Sequence, residues 1–357
     1  MQTALYDERE GYYCRQDRIR QGRAGDYRTA PETSPLFAAT FARYFAKLFV
    51  ELGSPARFTI IECGAGAGQF AHGVLNSLRS QHPEVFSATS YLIDEIAARS
   101  REQIAARLVE FSDRVTFRSP SVSEGQLPDR ALPYGRASDP ITGIIFSNEL
   151  IDAFPVHRVI GRSGTLKELC VGLNDSDDFV WTENDVSLSV AEYCERIQLR
   201  LAEGQIYEIN LEAEDFSQRA SSLIERGWII TVDYGATRSD LINDPNRFKG
   251  TLRTFHRHQL GDDALSHPGE QDLTTTVDWT QMIEAGKQNG FEEARLQSLD
   301  QFLLAEGVIE ELQEAVATIS DQTDLFNFNA RVRELIMPTG MAAHFQVLVQ
   351  RKNPLRH

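Results

Sequence analysis

The run Phe58-Thr59-Ile60-Ile61-Glu62-Cys63-Gly64-Ala65-Gly66-Ala67-Gly68 decides how this chain is read. A short apolar run that meets an acidic residue and then three alternating glycines reads as a buried strand, a tight turn and a helix, the last expected over 69–78. Without a Cβ on each glycine, a ligand can approach the backbone of that turn closely. Working outward, 90–93 ending at Asp94, 115–117, 142–146, and 228–232 ending at Asp233 read as further strands. Helices are expected over 97–111 and over 216–226, the latter stopped by Gly227. This alternation of strands and helices predicts an α/β fold with a parallel sheet. Residues 294–299 and 345–351 read as a closing antiparallel hairpin.

Residues 156–210 break the rhythm with short alternating segments at 156–160, 166–173 and 179–182 and a helix near 191–201. They read as an inserted lobe that serves the substrate or a partner. The expected division is an N-terminal arm and helix over the cofactor site at 1–50, a core over 51–155 and 211–357, and this lobe at 156–210. The polar stretch 235–278 shows no periodicity and is longer than an ordinary connection, which makes it a candidate active-site loop.

Composition removes several classes of function. The 357 residues hold 36 Lys and Arg against 52 Asp and Glu, a formal charge of −16, opposite to the basic footprint of nucleic-acid binding. Cys14, Cys63, Cys170 and Cys194 are scattered without metal spacing, so neither a metal site nor a disulfide framework is expected. No apolar run approaches the ~18 residues of a membrane span. Asp7, Glu8 and Glu10 suit neither a secretory signal nor a transit peptide. A bacterial-type cytoplasmic setting is therefore expected, or the mitochondrial matrix in a eukaryote, with a homodimer compatible with the sequence.

The glycine spacing is G-x-G-x-G, with Gln69 where the dinucleotide fingerprint G-x-G-x-x-G requires its third glycine. That favours S-adenosylmethionine (SAM) over a dinucleotide, and Glu62 suits an ammonium where it would repel a pyrophosphate. A tight turn without a ligand is the alternative. Glu62, Gly64, Ala65, Gly66, Gly68 and Asn148 are the expected cofactor contacts, with Asp94, or Glu95 beside it, on the ribose hydroxyls. After the fourth strand, Asn148, Glu149 and Asp152 are placed to face the transferred methyl, since ligands bind beyond the carboxyl ends of such strands. Two carboxylates favour a cationic acceptor such as a guanidinium, whose donors pair with them bidentately, and they can take its proton. The alternative is a helix start capped by Asn148, with Glu149 at the positive end of the dipole.

Several segments in order resemble the MidA-like methyltransferases. They are Leu5-Tyr6-Asp7 with Gly11-Tyr12-Tyr13, Gly25-Asp26-Tyr27-Arg28-Thr29-Ala30-Pro31-Glu32, the 62–68 loop, and Asn148-Glu149 through Pro155-Val156-His157. Asp233-Tyr234-Gly235, Gly250-Thr251-Leu252 with His256, Pro268-Gly269 with Asp272-Leu273-Thr274, and Val277-Asp278-Trp279 complete the set. The resemblance implies a class I SAM-dependent methyltransferase fold, Rossmann-like, with a mostly parallel seven-stranded sheet and an antiparallel C-terminal strand. It places Thr29, Pro31 and Glu32 near SAM, and Asp233, Tyr234, Thr251, His256 and Asp272 on the acceptor side.

Mitochondrial members of that family methylate an arginine of a respiratory complex I subunit, which implies an arginine-bearing protein substrate here. The chain departs from the family's pattern at Ala30, Cys63, Thr276 and Asp94-Glu95-Ile96-Ala97. Those departures keep two other readings open: O- or N-methylation of a small molecule with His256 or Asp272 as base, and a non-catalytic assembly factor that retains the fold.

Overall fold

Every residue of β1, Phe58–Cys63, is buried, as required of a strand covered on both faces. The structure, a computed structural model, describes residues 1–15, 34–118, 140–256, 259–337 and 339–353. In chain order β2 is Thr89–Asp94, β3 Val115–Phe117 and β4 Ile141–Asn148. Next come β5 His157–Arg162, β6 Thr165–Leu173, β7 Phe179–Asn184, β8 Ile206–Ile209 and β9 Ile224–Asp233. Then follow β10 Gly235–Ala236, β11 Arg253–His256, β12 Gln259–Gly261, β13 Asp272–Thr274, β14 Val277–Asp278, β15 Glu293–Ser298 and β16 Gln346–Lys352. Two compact units result. One holds Ile151–Phe216, Gly235–Ala285 and the first 15 residues; the other holds Ser217–Tyr234 and the described residues of 28–150 and 286–357.

The second of these units is built on a seven-stranded sheet in the order β15-β16-β9-β4-β1-β2-β3. β3, β2, β1, β4 and β9 run parallel, while β16 is antiparallel to both β9 and β15. The closing antiparallel hairpin expected from the sequence is thus present. Its core is aromatic: Phe37, Phe41 and Phe45 of the helix Pro35–Glu51 pack on Phe70 and Phe146, which stack at 4.1 Å between centroids. Ser34 caps that helix, its hydroxyl accepting from the Leu36 amide. A helix with eleven buried residues is part of the sheet's cover.

The helix expected over 216–226 occupies Leu211–Leu223 instead, and β9 begins at Ile224. Gly227 is therefore a strand residue rather than a helix stop. The helical spacing of Ala220, Leu223 and Ile224 carries the pattern one residue too far, because Ile224 is buried in the sheet and pairs with Ile141.

In the other unit β7-β6-β5-β8 form an antiparallel sheet. One face of it packs on the helix Leu188–Arg196 through Val159, Val190, Tyr193, Tyr207 and Ile209. The unit is larger than the expected lobe, since 235–285 belongs to it. That stretch is not a bare loop: β12-β11-β13 form a small antiparallel sheet and β10 pairs in parallel with β14. Gly235 of β10 is fixed by packing, because a Cβ there would stand 2.2 Å from the buried Trp279 indole nitrogen. Leu5 and Tyr12 close the unit against Leu273.

Candidate active site

The glycine turn follows β1 directly. Gly64, Gly66 and Gly68 have φ of 71°, 58° and 76°, a left-handed conformation that costs an L side chain roughly 1–2 kcal/mol per residue. The turn is fixed at three points. The Gly64 amide donates to the Asp94 carbonyl at 2.9 Å, the Gly68 amide to the Ala65 carbonyl at 2.8 Å, and the Gly66 amide to Glu95 Oε2 at 3.0 Å. Glu95 Oε1 also accepts from the Ala97 amide. Of the two neighbouring carboxylates, Glu95 therefore props the turn.

Glu62 lies one residue inside the turn, 4% exposed, and Tyr91 Oη donates to its Oε2 at 2.7 Å. Burial pushes the Glu62 carboxyl up to about 8, although the Tyr91 hydrogen bond draws it down. Burial likewise raises Asp94 to about 6, with the Arg118 guanidinium pulling the other way. Buried side-chain oxygens normally have partners. Yet Asp94 Oδ2, Ser147 Oγ and Asn148 Oδ1 are buried at the carboxyl ends of β2 and β4 with no hydrogen-bond partner among the described residues. An orphaned carboxylate oxygen beside a glycine cradle fits the hydroxyls of a nucleoside, and an orphaned amide and hydroxyl fit its polar substituents.

After β4 the backbone departs from its expected course. Glu149 takes a positive φ of 50° and donates its amide to the Val232 carbonyl of β9 at 2.9 Å. No helix starts here, so the capping reading of Asn148 does not hold. Asn148 Nδ2 instead donates to Glu149 Oε1 at 3.1 Å. A non-glycine residue in this conformation costs energy that the surroundings must offset. Asp233, fully buried at the end of β9, accepts from the Tyr234 amide.

The remaining expected acceptor residues lie in the other unit. Asp152 is buried in a loop whose three successive carbonyls are all captured: Ile151 by Asn210 Nδ2 at 3.1 Å, Asp152 by the Thr275 amide at 2.9 Å, and Ala153 by Tyr6 Oη at 3.0 Å. Asp272 is buried and accepts from Tyr13 Oη at 2.7 Å. His256 has its Nδ1 3.0 Å from the Glu270 carbonyl. Because Phe255, not His256, is the register partner of Asp272, alternation along the strand puts His256 and Asp272 on opposite faces of their sheet. They do not act on one proton together. Thr251 is held by Glu208, which also pairs with Arg158. Thr29, Pro31 and Glu32 lie outside the described residues. Sequence reasoning missed Tyr6, Asn210, Tyr91 and Arg118, none of which has a local signal of its own except the tyrosine's place in Leu5-Tyr6-Asp7.

A parallel sheet with an antiparallel last strand, opened at β1 by a glycine cradle with buried carboxylates at the ends of β1 and β2, defines the class I SAM-dependent methyltransferase fold. Residues 40–296 match the family described as "Putative S-adenosyl-L-methionine-dependent methyltransferase", and the chain belongs to that family. A Burkholderia thailandensis protein crystallised with S-adenosyl-homocysteine is 27% identical, with a TM-score of 0.81, over 98% of this chain and 86% of that one. Two curated relatives are the mitochondrial "Protein arginine methyltransferase NDUFAF7" of Rattus norvegicus, 25% identical, and its Drosophila melanogaster homolog, 26% identical. Both matches cover 78% of this chain, which spans 63% of the length of each relative.

Asp94 supplies a test of the cofactor site that is independent of turnover. Adenosine, which lacks the amino-acid tail, is expected to bind best above pH 6 and progressively less tightly as Asp94 is protonated through about 6. Asp94→Asn is expected to weaken adenosine about tenfold and to flatten that pH dependence. Titration calorimetry from pH 5 to 8 measures both, and an unchanged pH profile in the variant would remove Asp94 from the ribose.

Proposed function

We propose that the chain transfers a methyl group from SAM to a guanidinium nitrogen of an arginine in a protein substrate. The observation that carries this reading is Glu149, a carboxylate held in a left-handed turn at the carboxyl end of β4, beyond the glycine cradle of β1. The names of the curated relatives support the same acceptor class. When bound, SAM supplies a methyl already activated by its sulfonium, so alignment is the protein's main task.

In this reading the glycine turn seats the nucleoside, Asp94 accepts the ribose hydroxyls and Glu62 faces the ammonium. Glu149, oriented by Asn148, pairs with the guanidinium and takes the proton that nitrogen must lose. The small-molecule reading gains less support, because Asp272 already accepts from Tyr13 and Leu273, and His256 lies on the other face.

The experiment is incubation of the purified chain with radiolabelled SAM and protein extract, followed by acid hydrolysis and amino-acid analysis. Methylarginine that depends on the chain is expected. Glu149→Gln is expected to keep its affinity for S-adenosylhomocysteine and to lose at least about tenfold in turnover. Label appearing only in small molecules or in other amino acids rules out the arginine reading.

A further inference from the structure

The sheet β7-β6-β5-β8 has one face on its core; its other face is buried at Ile160 of β5 and exposed along the hairpin β6–β7. Val159, on the first face, is fully buried. Along the hairpin β6–β7 the register pairs Val171 with Trp181 and Leu173 with Phe179, so these four side chains share one face. It is the face away from Val159, since Arg158, adjacent to Val159, stacks its guanidinium 4.8 Å over the Trp181 ring. The four are exposed by 51%, 37%, 59% and 48% respectively for Val171, Trp181, Leu173 and Phe179. Large apolar side chains that are coplanar and half exposed mark an interaction surface when they are contiguous.

The chemistry around the strip identifies what fits it. Its far end is the turn Asn174–Asp178, where Asp175, Asp177 and Asp178 are all exposed. From Lys167 to Arg196 the sequence contains eight acidic residues and no intervening Lys or Arg. Lys167 is itself paired with Asp185, and Arg162 with Glu183. The strip is thus apolar with an acidic end. Four half-exposed side chains of this size offer about 400 Å², roughly half of the ~800 Å² per partner that a stable interface buries. That is too little for a lasting dimer and suited to a partner that must leave after each turnover.

We propose that the outer face of the β6–β7 hairpin docks a segment of the protein substrate that alternates basic and apolar residues, the apolar ones on Val171, Leu173, Phe179 and Trp181 and the basic ones toward the Asp175–Asp178 turn. The proposal rests on the arginine-methylation reading, since it names where that substrate is held.

The probe is a fluorescein-labelled 12-residue peptide of alternating leucine and arginine, followed by fluorescence anisotropy. Leu173→Ser combined with Phe179→Ser is expected to raise its Kd at least about tenfold. Asp175→Asn with Asp177→Asn is expected to raise it severalfold and to reduce its salt dependence. Both variants are expected to keep the wild-type melting temperature and affinity for S-adenosylhomocysteine, because every substituted residue is exposed. Equal binding of the peptide to wild type and the apolar variant overturns the proposal. So does equal binding of a peptide with glutamate in place of arginine. A wild-type dimer in sedimentation velocity that the apolar variant abolishes assigns the strip to a second copy instead.

The two readings fail separately. Methylarginine formed equally by wild type and the apolar variant removes the docking surface and leaves arginine methylation standing. Peptide docking without methylarginine in any protein does the reverse.

Discussion

Glu62→Gln is expected to bind S-adenosylhomocysteine about 100-fold more weakly than the wild type while melting at a higher temperature at neutral pH. Both effects come from one buried carboxyl. In the free protein it is pushed up to about 8 by burial, so at pH 7 it is mostly protonated. Protonation of Glu62 supports the fold fully below its ordinary value of 4.5, and that support is lost as pH rises toward 8. At pH 7 the linkage amounts to about 3 kcal/mol. Glutamine keeps an acceptor for Tyr91 Oη and has no proton to lose, so its stability advantage is expected to shrink to nothing near pH 4.

The affinity moves in the opposite direction. A ligand ammonium facing Glu62 needs the carboxylate, so binding at pH 7 draws the ionised form and releases a proton. Calorimetry in buffers of different ionisation enthalpy is expected to detect nearly one proton released by wild type and none by Glu62→Gln. Adenosine, with no ammonium, is expected to bind both equally. If glutamine weakens adenosine as much as S-adenosylhomocysteine, Glu62 supports the turn and does not face the ligand's tail.

The sheet was legible because its central strands are covered on both faces and so read as unbroken apolar runs: 58–61, 142–146 and 228–232 all fall within β1, β4 and β9. The glycine cradle was legible because the spacing of Gly64, Gly66 and Gly68 is itself the local geometry. Elsewhere a long-range partner decides the outcome. Asn148-Glu149 has the composition of a helix cap, and that local preference gives way to the hydrogen bond between the Glu149 amide and Val232. Asp94 and Glu95 are interchangeable in sequence; only the Gly66 amide distinguishes them.

The strands of 235–278 are two to four residues long, too short to show a period of two, and they are held by pairing across as many as forty-two residues, as between Gly235 and Val277. The same physics hides the role of Tyr6, Asn210 and Thr275. Each captures one carbonyl of the 151–153 loop from a different part of the chain, and none announces this in its neighbours.

Gly227→Ala is expected to cost at least about 3 kcal/mol of stability, a large share of what holds a domain folded. The reason lies at the centre of the sheet, where Thr59 of β1, Gly143 of β4 and Gly227 of β9 are successive register partners. The register shifts between Ile141 and Thr142, and just beyond that irregularity Gly227 has φ of 148°, a conformation almost confined to glycine. A Cβ at 227 would stand 1.8 Å from the Gly143 carbonyl oxygen, and one at 143 would stand 1.9 Å from that of Thr59.

Those neighbours are backbone atoms of paired strands, so no side chain can swing aside, and relief requires parting β4 from β9. Gly53→Ala isolates the conformational part of the cost, because Gly53 also has a positive φ, 77°, but nothing lies within 4 Å of where its new methyl group would stand. That variant is expected to lose only about 1–2 kcal/mol. Urea denaturation of the two alanine variants makes the comparison. Equal midpoints would mean that the close approach of the central strands is not what glycine at 227 provides.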